Sequence, residues 1–205
     1  MTTTNHQNSH THVPPSADPW KSWSEQLLGS PDAAGFRREG IRLAVATGLA
    51  SLFGVALGLR AGGPGIVVHA FGVALGILGV CGLAVPALAI ILAMANAPID
   101  VLGLARATAR SAANAGLLLA GLAPGAALFA VTVEDALTVT LVGVGALGLA
   151  GVLAMRSFVR ELRPELDAAE AGLLSRVALP AFLLFAAVLG ARIWWVTLPL
   201  VRGAT

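Results

Sequence analysis

The stretch Ala61–Ile99, AGGPGIVVHAFGVALGILGVCGLAVPALAIILAMANAPI, runs for 39 residues without an Asp, Glu, Lys or Arg. A helix crosses a bilayer in about 20 apolar residues, so the run admits one long tilted span or two spans joined by a tight turn. The choice decides the fold, because every later residue changes membrane face with it.

Outward from this run, charges divide the chain into further apolar segments. Leu43–Leu59 lies between Arg42 and Arg60, Ser111–Val133 and Ala136–Met155 flank Glu134-Asp135, and Val177–Val201 is interrupted only by Arg192. Lipid offers no partner to open backbone, so such segments cross as helices. The Lys/Arg bias of short loops then fixes the count. With five spans and a cytoplasmic amino terminus, Lys21, Arg37, Arg38, Arg42, Arg106, Arg110, Arg156, Arg160, Arg163 and Arg176 are cytoplasmic, against Arg60 and Arg202 outside. Splitting the long run sends Arg106, Arg110, Arg156, Arg160, Arg163 and Arg176 outside and reverses the bias. Five spans follow.

Composition agrees. The 205 residues are 57% hydrophobic and only 12% charged, with mean hydropathy +0.82, whereas a soluble domain carries roughly a quarter charged residues. A net charge of +2 and a single lysine, Lys21, give no polybasic tract for nucleic acid. The one cysteine, Cys81, excludes an intramolecular disulfide and a Cys-based metal site. The first thirty residues hold Pro14 and Pro15 and no apolar core, which does not fit a cleavable signal.

The expected fold is an all-α membrane protein, a bundle of five transmembrane helices with the amino terminus cytoplasmic and the carboxy terminus outside. Residues 1–18 read as a disordered polar tail, whose His6, His10 and His12 fix no metal geometry. Residues 19–35 read as an interfacial amphipathic segment anchored by Trp20 and Trp23, and residues 36–205 as the membrane domain. Its spans are expected at about 41–60, 65–95, 111–133, 136–155 and 175–198, with residues 95–99 a tilted or surface-lying extension. Pro86 and Pro124 are expected kinks. The loop Arg156–Arg176 reads as an amphipathic helix at the inner surface, and Arg60–Gly65 as a Gly-Pro turn.

Helices in lipid pack through small residues. Ala50, Gly54 and Gly58 form one such column, Gly72 and Gly76 another, and the tract Gly-Val-Ala-Leu-Gly occurs in both. The alternative is coincidence in a glycine-rich chain. Ionisable groups within spans point more directly to function. Arg192 lies near Trp194 and Trp195, expected in the interfacial belt, and either snorkels outward or joins His69, Glu134 and Asp135 in an outer polar cluster able to bind an anion or headgroup or move a proton. Asn96, Asn114 and Arg110, near the inner interface, either bind a partner or lipid or, as is usual for isolated Asn at helix ends, serve as caps or helix–helix contacts. Cys81 has no neighbouring base and reads as an inert thiol. No Ser-His-Asp order, metal-ligand spacing or phosphate-cradling glycine loop occurs, so neither catalysis nor a cofactor is expected.

Over roughly Phe36–Gly203 the chain resembles the Yip1-like family of small five-helix membrane proteins, its bacterial members in particular. The resemblance rests on Val85-Pro86-Ala87-Leu88, Leu122-Ala123-Pro124-Gly125 and Arg192-Ile193-Trp194-Trp195-Val196 with Pro199. The chain has no tyrosine, so the Tyr-containing motifs of eukaryotic members have no counterpart and no binding residue carries over. The resemblance implies a non-enzymatic protein of the bacterial inner membrane that recruits partners or organises the bilayer. The expected contacts are therefore lipid, other membrane or cytoplasmic proteins and a second copy in a homo-oligomer. The alternative is a small transporter or channel subunit using the outer cluster.

Overall fold

The computed structural model describes residues 33–94, 100–168 and 173–197. Five α-helices make up the described chain: α1 (Ala33–Gly58), α2 (Gly63–Met94), α3 (Val101–Thr132), α4 (Ala136–Ala168) and α5 (Leu173–Thr197). All five are long and apolar enough to span a membrane, and no strand occurs among the described residues. The decisive element is α2. It is one unbroken helix of 32 residues, about 48 Å long at 1.5 Å per residue, which a core of about 30 Å accommodates by tilt or protrusion. The described part of the long run is thus one helix, and five helices of membrane-spanning length stand among the described residues.

The turns between helices have local causes. Between α1 and α2, Gly62 and Gly63 adopt φ of 65° and 45°, a region glycine enters without steric cost, and the amides of Ala61 and Gly62 close onto the Gly58 carbonyl at 3.0 and 3.1 Å. Pro64 then stands in the first turn of α2, where its missing N–H costs nothing. Asp100 caps α3 through its carboxylate and the Leu102 amide, 3.3 Å apart. Asp135 does the same for α4.

Three helix boundaries differ from the expected spans. Helix α1 starts at Ala33, eight residues before its expected span. Helix α3 starts at Val101, ten residues before the expected span, so Arg106 and Arg110 are helical. Helix α4 does not stop near Met155 but continues to Ala168, so most of the supposed separate inner-surface helix is the end of the fourth span. It is amphipathic as expected: Phe158, Leu162 and Leu166 are buried, while Arg156, Arg160 and Arg163 are exposed. Pro164 and Pro180 join Pro86 and Pro124 as prolines inside helices. Each removes one backbone donor without ending its helix. The tail, Trp20, Trp23 and residues 95–99 lie outside the described residues.

Helix α1 packs against both α2 and α3, α3 carries α4, and α2 carries α5, whereas α4 and α5 scarcely touch. The helices therefore follow the order α5–α2–α1–α3–α4 around a ring whose last seam is almost unmade. One buried cluster, around Phe53, Val73, Leu119 and Leu147, fills the α1–α4 side. A second, around Leu88, Leu104, Phe158, Leu162 and Phe182, lies nearer the Arg110 end. Large apolar side chains such as Phe71, Leu128, Leu141 and Leu184 point outward, where lipid is the solvent that accepts them.

Candidate functional site

At the end of the bundle carrying the α1–α2 and α3–α4 turns, the polar groups hold the turns together. The Arg60 guanidinium donates to the Val133 carbonyl at 2.5 Å and to that of Glu134, covering backbone carbonyls of the short link between α3 and α4. Asp135 accepts from the Thr138 hydroxyl at 2.5 Å and from the Thr138 and Leu137 amides at 2.9 and 3.2 Å. Those bonds, the Thr138 hydroxyl first, hold its carboxyl below the usual range, with a small further pull from Arg60.

The four residues of the expected outer cluster have separate engagements. His69 is buried, with Nδ1 2.8 Å from the Gly65 carbonyl oxygen of its own helix. Glu134 offers its backbone to Arg60, and Asp135 caps α4. Arg192 is exposed on α5 and forms no ion pair with the described residues. The residue that reaches the α3–α4 turn is Arg60, by sequence alone only a charge flanking the first span.

At the opposite end, α3 and α4 are tied by two polar contacts. Arg110 donates to Glu161 at 2.8 Å and Asn114 donates to Ser157 at 2.7 Å. One turn along α3 matches one turn back along α4, the register of an antiparallel pair. Asn114 thus acts as an interhelical donor, in line with its reading as a helix–helix contact. Its partner Ser157 was not foreseen, although the matched spacing of four on each helix is visible in the sequence.

The glycine columns take two forms. A Cβ on Gly54 would stand 2.7 Å from the Ala70 Cα, and one on Gly58 2.6 Å from the Ile66 Cα, so α1 and α2 meet backbone to backbone there. Gly116 approaches the Ala46 backbone of α1 in the same way. Ala50 and Gly72 are buried as well. Gly76 instead receives the indole of Trp194, whose Nε1 an added Cβ would overlap. Trp194 therefore turns inward while Trp195 is 66% exposed. The Trp194 indole nitrogen is the one buried side-chain nitrogen or oxygen without a partner among the described residues.

Inside the ring, α2, α3, α4 and α5 enclose a chamber of about 740 Å³, within the range of small-molecule sites. Its wall is mostly Ala, Gly, Val and Leu, with Cys81 on α2 and Thr108 and Ser111 on α3. The Thr108 hydroxyl donates to the Leu104 carbonyl at 2.8 Å and that of Ser111 to the Thr108 carbonyl at 2.9 Å, so neither hydroxyl proton is free for a ligand. Phe158 and Phe182 meet at one end with ring centroids 5.8 Å apart. No group of three His, Cys, Asp or Glu suited to a metal occurs among the described residues. The arrangement offers an apolar volume, one basic end and turns sealed by their own hydrogen bonds. No protein-family model, curated protein or solved structure matches this chain.

Proposed function

We propose that the chain is a non-enzymatic membrane scaffold of the Yip1-like kind, set in the inner membrane with its amino terminus cytoplasmic, which binds partners at its arginine-rich end. The observation that carries this reading is the shape of that end. Helices α3 and α4, at 32 and 33 residues, are each about 50 Å long, far more than a core of about 30 Å requires. Their excess stands at the end bearing Arg106, Arg156, Arg160 and Arg163, all exposed. Phe158, Leu162 and Leu166 pack beneath with Leu88 and Leu104, which makes the extension a firm platform. A basic surface at that level suits acidic partners and anionic headgroups.

The transporter alternative is less well supported. Solute pathways use polar groups inside the membrane, whereas the hydroxyls of Thr47, Thr108, Ser111 and Thr132 donate to their own helices and the chamber is apolar. A photoreactive residue at Arg163 is expected to give a discrete protein adduct in cells, and one at Leu141 none. Selective solute uptake by proteoliposomes that Arg192→Leu abolishes would overturn the scaffold.

A further inference from the structure

Along α4 the chamber runs from Val144 to Phe158, and along α5 from Phe182 to Val196. Each stretch rises about 21 Å. One leaflet of hydrocarbon is about 15 Å deep, so the chamber is deep enough for the tail of a lipid from either leaflet. It communicates sideways through the α4–α5 seam, where Val144, Gly148, Val152, Ala187 and Ala191 are both lining and exposed.

The possible occupants differ in what they demand. Water requires two to four polar partners in a buried site. The Thr108 and Ser111 hydroxyls already donate to their own helix, and the Trp194 indole nitrogen, unpartnered among the described residues and packed against Gly76, offers a single donor. A helix from another protein would run into the Phe158–Phe182 contact and end there, stranding terminal backbone groups in an apolar wall. A hydrocarbon chain has no polar group to satisfy and can end blind. Protein interiors seldom keep voids larger than a water molecule, and hydrocarbon is the medium at the seam.

We propose that the chamber holds one acyl chain of a bilayer phospholipid, entered through the α4–α5 seam. The chain lies against the α3 face Ser111–Ala112–Ala115, which is buried and meets lipid only by way of the chamber. This holds whether the protein recruits partners or moves solute, so its failure and that of the scaffold reading are separate.

The glycines supply the test. A Cβ on Gly148 or Gly151 meets nothing within 4 Å, and both line the chamber; Gly145 is equally open but does not line it. The full chain is reconstituted in phosphatidylethanolamine–phosphatidylglycerol vesicles containing a phosphatidylcholine with a diazirine near one acyl terminus, then irradiated and mapped by mass spectrometry. Wild type is expected to carry adducts on Ser111, Ala112 and Ala115 as well as on outward-facing Leu117. Gly148→Phe/Gly151→Leu should lose the former and keep the latter, and Gly145→Leu should keep both. If the filled variant fails to fold, the wild-type map decides alone. Adducts on Leu117 with none on Ser111, Ala112 and Ala115 in wild type, adducts on those three residues that survive filling, or a protein–protein cross-link on that face would each overturn the proposal.

Discussion

Replacing Gly54 by alanine adds one methyl group at the point where α1 and α2 run backbone to backbone. The new Cβ would stand 2.7 Å from the Ala70 Cα and closer still to the His69 carbonyl oxygen. Carbon atoms in favourable contact sit about 3.5–4.0 Å apart, so the helices must separate by roughly 1 Å. Both partners are main chain, so no side-chain rotation relieves the overlap. Such overpacking costs about 1–3 kcal/mol. In water, alanine would recover about 1 kcal/mol through helix propensity. In a membrane that gain cancels, because the dissociated state is already helical.

Gly48→Ala is the internal control. It lies on the same helix, is exposed, and its Cβ meets nothing within 4 Å. Its effect should stay within about 0.5 kcal/mol. For a chain of this size each kcal/mol moves the melting midpoint by about 2–4 °C, so Gly54→Ala should melt about 2–12 °C below wild type. A fluorogenic maleimide that reports exposure of Cys81, the only cysteine, follows the melt in detergent. Equal midpoints for the two variants would refute backbone contact between α1 and α2.

Asn114→Ala and Ser157→Ala should be non-additive in the same melt, with a coupling of about 0.6 kcal/mol and no more than about 1.7 kcal/mol; additivity would mean that the 2.7 Å contact contributes nothing. Asp135 has a folded pKa below its ordinary 3.8, so its contribution is complete above that value and lost as pH falls through the depressed one. The wild-type midpoint should therefore drop on acidification below pH 3.8, more steeply than that of Asp135→Asn, which still caps the helix but does not titrate. In a Cys81→Ser background, a cysteine at Ala61 should react with an impermeant maleimide on intact cells and one at Arg163 should not. The reverse pattern would invert the orientation.

The number of spans was legible because arginine positions constrain topology independently of hydropathy, and the unbroken α2 agrees with them. Helix ends were less legible for the same reason. Charges mark where lipid stops, not where hydrogen bonding stops, so α3 runs back through Arg110 and Arg106 to Asp100, with Gly103, Leu104 and Ala107 buried behind the charged face. Gly62-Gly63-Pro64 announced its turn because only glycine enters the observed φ region at no cost. The partner of Arg60 was hidden, since the carbonyls of Val133 and Glu134 carry no side-chain signature and lie more than seventy residues away.

The glycines show where sequence pattern stops being informative. The same five residues, Gly-Val-Ala-Leu-Gly, occupy positions 54–58 and 72–76. In the first copy both glycines admit the backbone of α2, while in the second Gly76 admits an indole from α5. At Gly82, Gly145, Gly148 and Gly151 nothing fills the space a side chain would take. A small residue permits close approach without requiring it, and only the partner's position tells the cases apart. Gly54, Gly58 and Gly116 close α1 on α2 and α3, whereas Gly148 and Gly151 leave the seam of α4 with α5 open. The tight half and the loose half are written in the same residue, so the chamber, which consists of packing not made, had no signature in the sequence.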